Sequence, residues 1–106
     1  MQFKELQEKI LEVEMSYGEK YGITIDEEYA LLKLYEEMGE LSQAVLISRK
    51  KCRPEKYPGD AVAKEKLAEE MADVLGLLIT NAKLLGVDLD AAIEKKWLSR
   101  AGQIRE

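Results

Sequence analysis

The chain has 106 residues, of which 46% are hydrophobic and 35% charged, and its formal net charge at pH 7 is −5. This length predicts a single domain, residues 1–106, and this composition is typical of a globular protein. Because histidine is absent, a Ser-His-Asp triad and a Cys₂His₂ zinc finger are excluded, and the one cysteine, Cys52, cannot form an internal disulfide. The acidic balance argues against nucleic acid as a partner, since duplex binding normally needs a basic surface.

The N-terminal segment does not have the pattern of a signal peptide, because its first ten residues are charged and amphipathic. The longest apolar run, residues 74–79, is far shorter than the roughly 20 residues that span a bilayer. We therefore expect a cytoplasmic protein with no membrane partner.

Apolar residues recur at helical spacing along the whole chain, and no alternating strand pattern is found. Helix one is predicted over about residues 3–17, where Gly18 interrupts the pattern. Helix two is predicted over about residues 24–51, with Thr24 as the N-cap and Glu27 completing a capping box.

The second half of the chain predicts two more helices, separated from the first two by a loop over residues 52–59. Helix three is predicted over about residues 60–85, with Asp60 as the N-cap and Gly86 at its end. Helix four is predicted over about residues 88–102. The expected fold class is all-α, a four-helix bundle.

Helix three is apolar on nearly every side over residues 74–85, and such a helix is normally buried all round. A bundle of this size has too few other helices to surround it. We therefore expect a homo-oligomer, a dimer or a tetramer, with helices two and three at its centre.

Two pairs of acids stand three residues apart on these central helices: Glu37 with Glu40, and Glu70 with Asp73. Residues at this spacing lie about 60° apart on one face of a helix. Glu37 falls within the apolar stripe of helix two, Glu40 lies at the edge of that stripe, and Asp73 lies in the middle of the apolar part of helix three. These acids are therefore predicted to point inwards.

In a chain with this many charges, acids at such spacing usually form a solvated face, and that interpretation competes with a site. A buried carboxylate, however, costs several kcal/mol unless it is paired or binds a metal. The sequence shows no matching line of inward Lys or Arg. Carboxylate oxygens without His or Cys favour Mg²⁺ or Mn²⁺ over zinc.

Several motifs together resemble the MazG-like, all-α nucleoside triphosphate pyrophosphohydrolases. Residues 36–40 read Glu-Glu-Met-Gly-Glu and residues 70–73 read Glu-Met-Ala-Asp, which match the two acidic halves of the family pattern. Residues 85–88, Leu-Gly-Val-Asp, and the segment 92–97 look like the family's usual ending. The resemblance covers about residues 30–100.

The resemblance implies hydrolysis of the bond between the α- and β-phosphates of a (deoxy)nucleoside triphosphate, with a monophosphate and pyrophosphate as products. It implies Mg²⁺, with Mn²⁺ as an alternative, bound by four carboxylates: Glu37, Glu40, Glu70 and Asp73. Glu36 is the candidate for orienting or deprotonating the attacking water.

Four further residues are candidates for contacts with the substrate. Lys96 and Arg100 stand four apart on predicted helix four, so they are expected to reach one phosphate together, as a basic pair does in many relatives. Lys83 is another candidate cation, and Asn81 lies beside the position where a number of relatives carry Asn. The base and sugar of the substrate are not predicted.

Three alternatives compete with this interpretation. Phosphoribosyl-ATP pyrophosphohydrolase shares the double acidic motif, and a MazG-like bundle without turnover would serve as a nucleotide-binding or interaction module. A di-iron carboxylate bundle is excluded because it uses Glu-x-x-His motifs and the chain has no histidine.

Overall fold

The computed structural model describes residues 2–101, and these residues form helices and connecting turns with no β-strand. The prediction of an all-α chain with four helices is confirmed for this part of the sequence. The α-helices are α1 (Phe3–Tyr21), α2 (Glu27–Ser48), α3 (Asp60–Leu84) and α4 (Leu89–Lys96), and there are short 3₁₀ turns at Pro54–Lys56 and Leu98–Arg100. Within residues 2–101 no helix combines the length and the apolar character that crossing a membrane requires.

The chain divides into two compact units. One unit, residues 26–78, contains α2, the loop that follows it and most of α3. The other contains residues 2–25 with α1, together with residues 79–101, which include the end of α3 and all of α4. A single domain over residues 1–106 and the packing of a four-helix bundle stay predictions.

Helix α1 continues past its predicted end at Tyr17, because Gly18 does not interrupt it. Gly18 is buried, and a Cβ atom at this position would lie 2.6 Å from Cγ1 of Ile25 and 2.7 Å from the carbonyl oxygen of Ile23. The helix ends instead at Gly22, whose φ of 66° is the left-handed conformation typical of helix C-termini. Gly18 is thus explained by close packing of the chain that follows the helix.

Helix α2 begins later than predicted, and the capping box of Thr24 and Glu27 is wrong. The N-cap is Asp26, whose carboxylate accepts a hydrogen bond of 2.9 Å from the backbone N–H of Tyr29. Asp is as effective an N-cap as Ser or Thr, and Asp26 stands one residue before the helix. Glu27 is therefore the first helical residue.

The predicted end of α2 near Lys51 is also wrong, because the helix ends at Ser48. Lys50 has a φ of 58°, in the left-handed region, and the backbone N–H of Lys51 donates to the carbonyl oxygen of Leu46 at 2.8 Å. This turn satisfies a carbonyl in the last turn of the helix and stops its propagation.

Helix α3 includes Asp60 as its first residue, so the prediction of Asp60 as N-cap is wrong by one position. The backbone N–H of Ala63 donates to the carbonyl oxygen of Gly59, and the hydroxyl of Tyr57 donates to the Asp60 carboxylate. The helix ends at Leu84, one residue before the predicted end.

Helix α4 starts where predicted, after Asp88, whose carboxylate accepts from the backbone N–H of Ala91 at 3.0 Å. It ends at Lys96, which is shorter than the predicted helix over residues 88–102. The backbone N–H of Arg100 donates three residues back to Trp97, which is 3₁₀ geometry. Lys96 and Arg100 therefore do not share one face of an α-helix, and Gly102 lies outside the described residues.

The buried apolar core of the described residues is small and rich in alanine: Ala30, Ala44, Ala63, Leu77, Ile79 and Ala82. The single chain leaves one side of helix three exposed, as expected of a bundle with too few helices to surround it, and its burial by a second copy stays a prediction. Leu75 and Leu78 are each 43% exposed, whereas Ile79 is fully buried. A core of this kind leaves much apolar surface of α2 and α3 in contact with solvent.

Candidate metal centre

Five acidic side chains come together within residues 26–78. They form two triads in which one carboxylate oxygen per residue lies within 4.8 Å of the others. Glu37 belongs to both triads, and the members are Glu36, Glu37 and Glu40 in the first, and Glu37, Glu70 and Asp73 in the second. The structure therefore brings together all four predicted metal ligands and the predicted water-orienting residue.

Helix geometry accounts for the first triad, because its three members lie within little more than one turn of α2. The second triad needs two helices, with Glu37 from α2 and the other two acids from α3. Carboxylates at these distances repel each other when all are ionised. Such an arrangement needs either protons or cations to be stable.

The acids differ in burial. Glu70 is 1% exposed, Glu37 and Glu40 are half-buried, and Glu36 and Asp73 are exposed. The prediction that Asp73 points inwards is not met in burial, because its side chain is exposed, although one of its carboxylate oxygens lies within 4.8 Å of oxygens of Glu37 and Glu70. Because the cluster contains exposed as well as buried carboxylates, an ion can reach it from solvent.

Two oxygens of this cluster have no hydrogen-bond partner within the described residues, although both are buried: Oε2 of Glu37 and Oε2 of Glu70. A buried polar atom without a partner costs about 1–3 kcal/mol, and more when it is charged. A bound cation would satisfy both atoms. These orphaned oxygens are evidence from the structure itself that the residues fit a metal ion.

Lys66 contacts the most buried of the acids. Its Nζ lies 2.8 Å from Oε1 of Glu70 and 3.9 Å from Oε2 of Glu69, and its side chain is 59% exposed. The sequence interpretation missed this residue when it found no line of inward cations, because Lys66 reaches a buried oxygen from the surface. The spacing of four residues between Lys66 and Glu70 is the signal that would have identified the pair.

A second lysine contacts the outer edge of the cluster. Nζ of Lys33 donates to Oε1 of Glu36 at 3.1 Å, and this hydrogen bond is the main cause of the raised pKa of Lys33. The Glu36 side chain is 54% exposed, so the pair is well solvated. Exposed ion pairs of this kind contribute little to stability, and Glu36 stays accessible to water.

Two of the predicted ligands, half-buried Glu37 and buried Glu70, have pKa shifts in opposite directions. Burial, then the hydrogen bond and charge of Glu40, raise the pKa of Glu37 to about 7. The hydrogen bond from the Lys66 ammonium holds the pKa of Glu70 below its usual range, against the effect of burial. Near neutral pH the Glu37 carboxyl is therefore partly protonated, whereas the Glu70 carboxylate is ionised.

The chemistry of the donor set narrows the choice of metal. Every side chain in the two triads offers carboxylate oxygen, and the triads contain no nitrogen or sulfur donor. Hard divalent cations such as Mg²⁺ and Mn²⁺ prefer such ligands. A cavity of about 230 Å³ adjoins the cluster and is lined by Glu40, Gln43, Ala44, Ile47, Lys66 and Glu70.

The four predicted substrate contacts lie in the other unit, within residues 79–101. Asn81 is only 6% exposed, whereas Lys83, Lys96 and Arg100 are exposed. Lys83 lines a separate cavity of about 220 Å³ together with residues of α1, among them Lys4. Roles of these four residues in substrate binding stay predictions.

Comparison with known proteins gives one match. The family model of the MazG nucleotide pyrophosphohydrolase domain matches residues 25–100. No curated protein and no solved structure matches the chain. The matched segment contains all five clustered acids.

Proposed function

Because the chain belongs to the MazG nucleotide pyrophosphohydrolase domain family, we propose that it hydrolyses the bond between the α- and β-phosphates of a (deoxy)nucleoside triphosphate with the help of Mg²⁺. The products are a nucleoside monophosphate and pyrophosphate. One observation carries the proposal beyond the family match: five carboxylates in two overlapping triads include two buried oxygens that have no hydrogen-bond partner among residues 2–101.

The proposed metal ligands are Glu37, Glu40, Glu70 and Asp73, with Mn²⁺ as an alternative ion. When bound, the metal would lower the pKa of a water molecule and neutralise charge that develops on the phosphates. An acidic chain of net charge −5 repels a polyanionic substrate. A cation between its carboxylates and the phosphates removes that repulsion.

Glu36 is the proposed residue for orienting or deprotonating the attacking water. Its oxygen lies within 4.8 Å of oxygens of Glu37 and Glu40, so it stands next to proposed ligands. Because the side chain is exposed, water has access to it. Its Oε1 accepts a hydrogen bond of 3.1 Å from Nζ of Lys33.

Contacts with the phosphates are proposed for the exposed cations Lys83, Lys96 and Arg100, and a polar contact with the substrate is proposed for the Asn81 amide. These contacts are supported by the positive charge of the three cations and by the resemblance of the sequence to the family. Each cation can donate hydrogen bonds to phosphate oxygens, and Arg100 can do so with two parallel N–H groups.

Self-association into a dimer or tetramer is also proposed. On α2 the exposed side chains Leu31, Tyr35 and Met38 recur at helical spacing, and on α3 Met71, Leu75 and Leu78 do the same. Each set lies along one face of its helix. Contiguous apolar faces of this kind mark interaction sites in soluble proteins, and a second copy of the chain would cover them.

The test is a turnover screen with Mg²⁺ and Mn²⁺ over all ribo- and deoxyribonucleoside triphosphates and phosphoribosyl-ATP, with products separated by ion exchange. Glu70→Gln removes a proposed ligand, and Glu65→Gln, an exposed acid of the same helix outside both triads, is the control. Monophosphate and pyrophosphate, lost in Glu70→Gln alone, support the proposal. Diphosphate and phosphate contradict it, and metal binding without turnover on any compound favours a binding module.

A further inference from the structure

Lys66 and a divalent metal compete for the same carboxylate. Glu70 is 1% exposed, and its Oε1 accepts from the Lys66 ammonium at 2.8 Å while its Oε2 has no partner in the described chain. Glu70 is also the most buried member of the second triad. The ammonium therefore supplies the positive charge that the buried carboxylate needs when no metal is bound.

The two cations weaken each other's binding at this carboxylate. Oxygens of one carboxylate are close together, so an ammonium on Oε1 and a divalent ion on Oε2 would lie within several ångströms and repel each other. Burial strengthens this repulsion, since solvent screens it poorly. Lys33 does not take part in the competition, because it pairs with Glu36 at the exposed edge.

We propose that Lys66 is an internal counter-ion that neutralises Glu70 in the metal-free protein and is displaced when the divalent metal binds. The inference rests on the metal site of the proposed function and adds a residue that sets the affinity of that site. Lys66 acts through Glu70 and is not itself a ligand.

The surroundings of Lys66 allow the displacement. The Lys66 side chain is 59% exposed, and it lines the cavity of about 230 Å³ beside the cluster. The ammonium can therefore move into solvent when it leaves Glu70. Glu69, at 3.9 Å, offers it an exposed partner on the same helix. The move needs rotation of one flexible side chain and no change of the backbone.

The experiment measures Mn²⁺ affinity at pH 8 on chelator-stripped protein without nucleotide, by electron paramagnetic resonance of the free ion. Lys66→Met keeps the aliphatic stem and removes the charge, so we expect Mn²⁺ to bind about tenfold more tightly. Lys66→Arg keeps the charge and is expected to stay within about threefold of wild type. Lys64→Met removes the same charge from the same helix, where Lys64 has no ion pair with a described acid, and should change affinity less than about twofold.

Thermal unfolding separates this role from a structural one. Without metal, Lys66→Met is expected to lower the midpoint by about 5 °C, because Glu70 loses its counter-ion, and saturating Mn²⁺ should remove the difference. Equal destabilisation with and without Mn²⁺, or an affinity that is unchanged or lower, overturns the inference and leaves the metal site intact. Wild-type protein that binds no Mn²⁺ contradicts the proposed metal site itself.

Discussion

Glu37 of α2 and Glu70 of α3 belong to one triad of carboxylates, and each holds a buried oxygen that accepts no hydrogen bond within the described chain. Native proteins leave few buried polar atoms unsatisfied, and those they do leave are frequently functional. Two such atoms in one triad are hard to explain by packing alone. A divalent cation bound between the two carboxylates would satisfy both.

Replacement of a proposed ligand should abolish turnover and keep the fold. For Glu70→Gln or Asp73→Asn we expect hydrolysis to fall at least about 100-fold, since loss of even an outer-shell partner of a metal costs about 10–100-fold. Stability of metal-free Asp73→Asn should not fall, because a repelling negative charge is removed. Metal-free Glu70→Gln should lose some stability, because it also loses the ion pair of Glu70 with Lys66. Steady-state kinetics and thermal unfolding in chelator measure the two effects.

Glu65→Gln is the control for this prediction, since it removes an exposed carboxylate of α3 that lies in neither triad. Wild-type turnover by either ligand variant in Mg²⁺ would show that the site is assigned to the wrong residues. Unfolding of both ligand variants would instead assign the cluster a structural role.

Metal affinity should depend on pH through Glu37. Burial raises the pKa of this carboxyl to about 7, and a ligand must be deprotonated, so protons compete with the metal. We expect Mn²⁺ affinity to be about tenfold lower at pH 6 than at pH 8. Affinity that is the same at both pH values would show that Glu37 does not bind the ion.

The same shift has a consequence for folding in the absence of metal. Since the folded pKa of Glu37 lies above the ordinary 4.5, the folded chain holds a proton that the unfolded chain has lost, and stability declines as pH rises from about 4.5 to about 7. Glu37→Gln should remove this part of the decline. Urea unfolding at several pH values in metal-free buffer measures it.

Gly18 should tolerate no side chain. A Cβ in Gly18→Ala would meet Ile25 Cγ1 at 2.6 Å and the Ile23 carbonyl oxygen at 2.7 Å, so we expect a loss of about 1–3 kcal/mol in the free energy of unfolding. Gly39→Ala is the matched helical control, because its Cβ would meet no described atom within 4 Å. A gain of up to about 1 kcal/mol is expected there. Chemical denaturation compares the two variants.

A charge on the exposed apolar face of α3 should dissociate the proposed oligomer. Leu75→Glu places a carboxylate on a side chain that is 43% exposed in the chain and would be buried by a second copy. We expect light scattering with size exclusion to give a monomer. Val13→Glu changes an exposed apolar residue of α1 that belongs to neither face, and it should keep the wild-type mass. A monomeric wild type would contradict the oligomer.

The number and type of helices could be predicted because apolar periodicity is a local property of the chain. The start of α4, predicted at Asp88, was correct to within one residue for the same reason, and Asp88 is the N-cap of this helix. The ends of α1 and α2 were wrong where the chain folds back on itself. Ile23 and Ile25 pack closely against Gly18, and Lys50 adopts a left-handed backbone conformation. A local pattern of apolar residues indicates neither feature.

Sequence by itself determined that Glu37 lies beside Glu40, and Glu70 beside Asp73, because the helical repeat places each pair on one face of its helix. Only the tertiary structure decided how these pairs meet. It buried Glu70, left Asp73 in solvent and placed the Lys66 ammonium on a Glu70 oxygen. Burial and charge pairing depend on what lies across from a side chain in space, and helical spacing carries no such information.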